Sequence, residues 1–121
     1  MYTNDANKAD IGHIHRSLEN SEAREKIYYR LCDISPNGAT PDELSEFLKI
    51  TPINVSGALN GYGKRFSEAA ALVRMGLARY ERKELYRRVF EVYYATPYGL
   101  EIKDRVKEYG KRLSVSRGGA N

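Results

Sequence analysis

One cysteine in 121 residues rules out any internal disulfide. Cys32 falls within an apolar-periodic helix, where the expectation is a buried, inert thiol rather than a redox sensor. No apolar run approaches the roughly 20 residues needed to cross a bilayer. The first ten residues are polar, with no stretch resembling a secretion signal, so the expected location is the cytoplasm with no membrane partner. Metal ligands are scarce too. His13-x-His15 offers two donor atoms, but no Cys, His or carboxylate cluster joins it at a familiar metal spacing. Gly61-x-Gly63-Lys64-Arg65 lacks the rest of a Gly-x-x-x-x-Gly-Lys-Ser/Thr phosphate cradle, and no parallel-sheet unit precedes it. Spacing nominates no combination of nucleophile, base and orienter. The expectation is a protein that is not an enzyme and has no cofactor or metal. Repeats, coiled-coil heptads and low-complexity blocks are also missing.

What is present is one domain's worth of chain with an uneven charge. The length suffices for one core and four or five helices. The net charge is only +4, yet residues 51–88 carry 8 basic and 3 acidic side chains, against 6 and 9 in residues 1–50 and 6 and 4 in residues 89–121. A basic middle is where phosphate contacts would be found.

That basic segment begins just after the most informative stretch. Thr40 can cap a helix with Pro41 at its first position and Glu43 at its third, the spacing of a capping box. Leu44, Phe47 and Leu48 give that helix one apolar face. Only Lys49 and Ile50 precede a second cap, Thr51, again followed by a proline, Pro52. Val55, Ala58 and Leu59 are the expected buried side of this second helix. Two helices joined so tightly must cross steeply, the outline of a helix-turn-helix.

Around this unit the chain reads as follows. Ala23, Ile27, Leu31 and Ile34 recur at helical spacing and end near Ser35-Pro36-Asn37-Gly38. Ile11 to Leu18 either extends this helix or forms a separate arm. The spacing predicts a further helix capped by Ser67, with Ala69, Leu72 and Val73 inside and Gly76 as its stop. Residues 77–82 and 88–96 have strand composition, and Lys83-Glu84-Leu85-Tyr86-Arg87 between them is expected to form a hairpin tip without an Asn-Gly signal. Thr96-Pro97 opens a last helix with the stripe Ile102, Val106, Tyr109 and Leu113. The expected class is mainly α with a small β-hairpin (α+β). Residues 1–10 are expected to be a disordered arm, 11–113 the folded domain and 114–121 a flexible tail.

Several segments resemble small archaeal winged-helix transcription regulators related in layout to the MarR and ArsR groups. They are Ser21-Glu22-Ala23-Arg24, residues 54–66 from Asn54 through Gly61-Tyr62-Gly63-Lys64-Arg65-Phe66, Leu72-Val73-Arg74-Met75-Gly76-Leu77, and Ala95-Thr96-Pro97-Tyr98-Gly99. Met75 and Ala78 depart mildly from the usual Leu and Val. The resemblance implies a winged helix-turn-helix fold, and some proteins of this look regulate archaellum genes.

The expected function is sequence-specific binding of double-stranded DNA in transcription regulation, with residues 52–60 in the major groove and a wing at about 82–88 on flanking DNA. Short polar side chains suit base edges: Thr51, Asn54, Ser56, Gly57 and Asn60 are the candidates there. Lys64, Arg65, Arg82, Lys83, Arg87 and Arg88 suit phosphates or a minor groove. A homodimer built on Ile102, Val106, Tyr109 and Leu113, with help from Ile11, Ile14 and Leu18, would double the contacts. The alternatives are a protein-interaction module of transcription or replication machinery, for which Tyr62 and Phe66 speak, and a single-stranded nucleic-acid binder using Tyr stacking.

Overall fold

In a computed structural model, residues 8–61 and 69–118 are described, with their side chains as far as Leu113. The elements run α1 (Ile11–Glu19), α2 (Glu22–Ile34), α3 (Pro41–Leu48), α4 (Pro52–Asn60), β1 (Ala78–Leu85), β2 (Arg88–Ala95) and α5 (Pro97–Gly118). The fold is mixed α+β, with five helices and one two-stranded antiparallel hairpin among the described residues.

Local chemistry starts each helix. The Asp10 carboxylate accepts from the His13 amide at 2.8 Å and opens α1; the Ser21 hydroxyl accepts from the Arg24 amide at 3.2 Å and opens α2. The α3 capping box is complete. Thr40 Oγ1 accepts from the Glu43 amide at 3.1 Å, and Glu43 Oε1 accepts from the Thr40 amide at 2.8 Å. At α5 the Thr96 hydroxyl accepts from the Gly99 amide at 2.8 Å and donates to the Gly76 carbonyl at 2.5 Å, so one buried side chain ties the helix start to the loop before β1.

The core joins Ile14 and Leu18 of α1, Ile27 and Leu31 of α2, Leu44 of α3 and Val55 and Leu59 of α4 to Leu72, Met75, Leu77 and Tyr93. Ile11 to Leu18 is thus a separate helix, α1, docked on α2 and α5. Residues 8–10, expected to be disordered, are tied down: the Ala9 amide donates to the Met75 carbonyl at 3.1 Å, and the Tyr98 hydroxyl donates to the Ala9 carbonyl. At the other end α5 continues through Gly118, into the expected tail.

Two further expectations are corrected. The helix starting at Ser67 does not appear across residues 69–77, which form a series of turns; Ser67 itself lies outside the described residues. Ala71, Leu72, Val73, Met75 and Leu77 are buried there nonetheless, because the Leu72 and Val73 amides donate at 3.0 Å to the Ala58 and Leu59 carbonyls. Those carbonyls at the end of α4 need external donors, and turns supply them where a helix would have used its amides internally. Phe47 is 59% exposed rather than part of the inner face of α3, since its ring lies under the Arg30 guanidinium of α2 at 3.6 Å.

The hairpin is longer and tighter than expected. Leu85 pairs with Arg88, leaving Tyr86 and Arg87 as a two-residue turn with φ of 51° and 63°, the positive values of a type I′ turn. Lys83 and Glu84 therefore belong to β1. On the far edge of β2, Ala39 and Tyr93 exchange backbone hydrogen bonds of 2.8 and 2.9 Å, which fixes the hairpin to the segment before α3. A Cβ at Gly38 would lie 2.6 Å from the Tyr93 carbonyl oxygen, so this approach requires glycine. Gly99 is held to glycine likewise, by the Leu77 carbonyl oxygen at 2.5 Å.

Candidate nucleic-acid interface

The tandem helices and the hairpin meet through α2 and the Ala39 bridge. Lys49 ends α3 in the left-handed region, φ 59°, and the Ile50 amide closes the turn by donating to the Ser45 carbonyl at 3.1 Å. Ser45 Oγ in turn donates to the Ile50 carbonyl at 2.5 Å. This short, doubly tied connection sets α4 against both α2 and α3.

Of the five polar or small residues expected on the reading side of α4, the structure keeps three accessible. Thr51 is exposed, although its hydroxyl is the cap, accepting from the Asn54 amide at 3.4 Å. Asn54 and Ser56 are half-buried. Gly57 is buried rather than on the open side of α4, because α2 and α3 both pack against that helix. Asn60 is half-buried and faces the hairpin: its Nδ2 donates to the Tyr93 hydroxyl at 2.8 Å. Burial pushes the Tyr93 phenol up, and the Asn60 bond partly offsets this. Asn60 thus ties α4 to β2.

The cations divide in the same manner. Lys64 and Arg65, with Tyr62 and Phe66, lie outside the described residues. Arg82 pairs with Glu91 across the hairpin at 3.9 Å. The Lys83 ammonium lies 5.4 Å from the Tyr94 ring centroid and is held above its usual pKa, first by a hydrogen bond to Tyr94 and then by that group's charge. Arg87 and Arg88 occupy the tip, both exposed. Lys49, exposed at the left-handed turn between the two helices, is a cation that sequence reasoning did not single out; its position at the end of an apolar stripe was the available signal.

Also unforeseen is the apolar character of the hairpin end. Leu85, Tyr86 and Val89 are 56%, 89% and 65% exposed. Beside them a groove of about 510 Å³ runs between the start of α3 and the hairpin, lined by Asp42, Glu43, Lys83, Glu84, Leu85, Phe90 and Val92. Asp42, Glu43 and Glu84 give this groove three carboxylates against the one ammonium of Lys83.

The proposed dimer stripe also divides. Ile102 and Val106 are 3% and 2% exposed within the single chain, because α1 packs along α5 and both residues complete that core. Tyr109 and Leu113 are half-buried. No group of three or more His, Cys, Asp or Glu side chains among the described residues could hold a metal. His13 Nε2 lies 2.8 Å from the Ala69 carbonyl, and His15 packs edge-on to Tyr109 with Glu19 at 3.3 Å. No helix among the described residues is long and apolar enough to cross a membrane.

Capped tandem helices with an appended charged hairpin make this a small α+β protein. A family model described as EarA-like matches residues 14–106, and the chain belongs to that family. It is 33% identical over 93 residues to an uncharacterized protein of Methanocaldococcus jannaschii, covering 77% of this chain and 80% of that protein. No solved structure matches the chain.

Proposed function

We propose that this protein is a winged-helix transcription regulator that binds double-stranded DNA with sequence preference, placing α4 in the major groove and the β1–β2 wing on flanking DNA. The observation that carries this reading is the coupling of α4 to the hairpin. Asn60 of α4 donates to Tyr93 of β2 at 2.8 Å, which ties the helix carrying Asn54 and Ser56 to the hairpin whose tip carries Arg87 and Arg88. Asn pairs bidentately with adenine and Ser serves as donor or acceptor, while the arginines contribute the salt-dependent phosphate attraction. The protein acts in the cytoplasm as a homodimer, and its function requires no catalytic group, cofactor or metal.

Fluorescence anisotropy with genomic fragments, above all the protein's own promoter, tests the reading. Sites preferred over random duplex by about a thousandfold or more are expected. Uniform weak binding would point to DNA coating instead, and tighter binding to single strands would replace the duplex reading.

A second reading has one observation in its favour. Phe47 and Ile53, on α3 and α4, are 59% and 58% exposed, and apolar anchors of this kind suit a protein partner. A stoichiometric protein partner, together with failure to bind any duplex at low salt, would establish it.

A further inference from the structure

We infer that the hairpin tip is an apolar wedge that enters the minor groove and bends the duplex, with Leu85 and Tyr86 as the inserting side chains. This rests on the DNA-binding reading and adds to it a mode of binding that phosphate contacts alone do not supply. Three observations converge. First, the turn is built from residues that fit it poorly. Tyr86 and Arg87 both sit at positive φ, where a Cβ crowds the backbone and where Asn-Gly closes a hairpin with less strain. Those side chains are therefore not explained by the turn itself. Second, the tip exposes large apolar groups: Tyr86 at 89%, Leu85 at 56% and Val89 at 65%. Third, residues 85–90 read Leu-Tyr-Arg-Arg-Val-Phe, so two arginines adjoin the apolar groups at the apex, and the nearest carboxylate, Glu84, sits one pair further back across from Val89.

Phosphate contacts alone leave the exposed Leu85 and Tyr86 without a role. The minor groove of a kinked duplex accepts both, arginine in its negative potential and an apolar side chain between unstacked base pairs. The pairing of Leu85 with Arg88 puts an apolar group and a guanidinium side by side on one face of the hairpin. Arg82, held to Glu91 farther down the wing, is set back from the insertion point.

The test uses the full-length protein and a 30-base-pair A·T-rich duplex from its own promoter, labelled at its ends for energy transfer and carrying 2-aminopurine at a TA step. Wild type should shorten the end-to-end distance, consistent with a kink of about 20–90°, and raise the 2-aminopurine fluorescence as the step unstacks. Leu85→Ala/Tyr86→Ala should lose both signals at saturating protein while still binding, and Tyr86→Phe should keep both, because apolar area and not the hydroxyl does the work. Arg87→Ala should weaken binding yet give the wild-type bend once saturated. A duplex bound by wild type that stays straight, without a fluorescence change, would overturn the wedge and leave the DNA reading standing. No binding to any duplex at low salt would remove both, and capture of a protein through Leu85 and Tyr86 in its place would assign the tip to docking.

Discussion

Asn60 and Asn54 share a helix and a residue type, yet the structure gives them opposite expected effects. Asn60 donates to a buried phenol, so Asn60→Ala and Tyr93→Phe should each lower stability by about 1 kcal/mol in urea denaturation. Neither should change base preference beyond the general loss of binding. Asn54→Ala should leave the urea midpoint nearly unchanged and cost about 1–3 kcal/mol of discrimination between preferred and random duplex. An Asn60 variant that changes preference at full stability would reverse the assignment. Cys32 is simpler. It is buried, and that burial pushes its thiol up from 9.0 to about 11. Ellman's reagent should find no reactive thiol in the native protein at pH 8 and one after denaturation. The folded pKa lies above the unfolded one, so the neutral thiol favours the fold below about pH 9, and that contribution is lost as the pH rises to about 11. Burial raises the Tyr28 and Tyr93 phenols too, so the melting temperature should fall across the alkaline range.

At the scale of elements, what the sequence revealed was what local chemistry decides. Thr40-Pro41 and Thr51-Pro52 announce α3 and α4 because a hydroxyl cap and a proline act within one turn, and both helices begin where those signals lie. The turns across residues 69–77 were not legible. Ala69, Leu72 and Val73 have helical spacing, but the unpaired carbonyls at the end of α4 made turns the better solution, and only tertiary contact reveals that need. Similarly, the burial of Gly57 depends on where α2 and α3 lie, which no pattern within α4 records. The hairpin was legible in composition and misread in length, because its turn lacks Asn-Gly. Restoring that dipeptide is informative: Tyr86→Asn/Arg87→Gly should raise hairpin stability by about 1–2 kcal/mol, read as a higher melting temperature. The same variant should bind duplex more weakly, since it removes Arg87 and the most exposed aromatic of the tip. A gain in stability without loss of binding would mean that the turn's side chains have no part in recognition.

For the whole molecule, the question is how two copies would meet once half of the proposed stripe is needed inside one. Ile102 and Val106 are buried against the chain's own helices, so Val106→Glu should not part a dimer cleanly. It forces a charge into the core and should destabilise the fold by on the order of 3–5 kcal/mol, seen as lost helical circular dichroism at moderate temperature. The outer reach of α5 is a different matter. Its 22 residues span roughly 33 Å, whereas the nine residues of α1 span roughly 14 Å and α2 meets α5 from Gly99, whose carbonyl accepts from the Tyr28 hydroxyl at 2.5 Å, to Lys107, whose ammonium lies 4.6 Å from the Tyr29 ring centroid. The Tyr109 ring is met by His15 of α1, and Leu113 lies half-buried one turn further along α5. A lone unit of this size reads only a few base pairs, while a two-fold copy adds a second half-site about one helical turn away. Leu113→Glu should therefore keep the helical signal, halve the mass found by sedimentation at micromolar protein and weaken specific binding more than non-specific binding. A wild-type monomer with a footprint too short for two half-sites would exclude the homodimer and leave α4 and the wing to provide all the specificity.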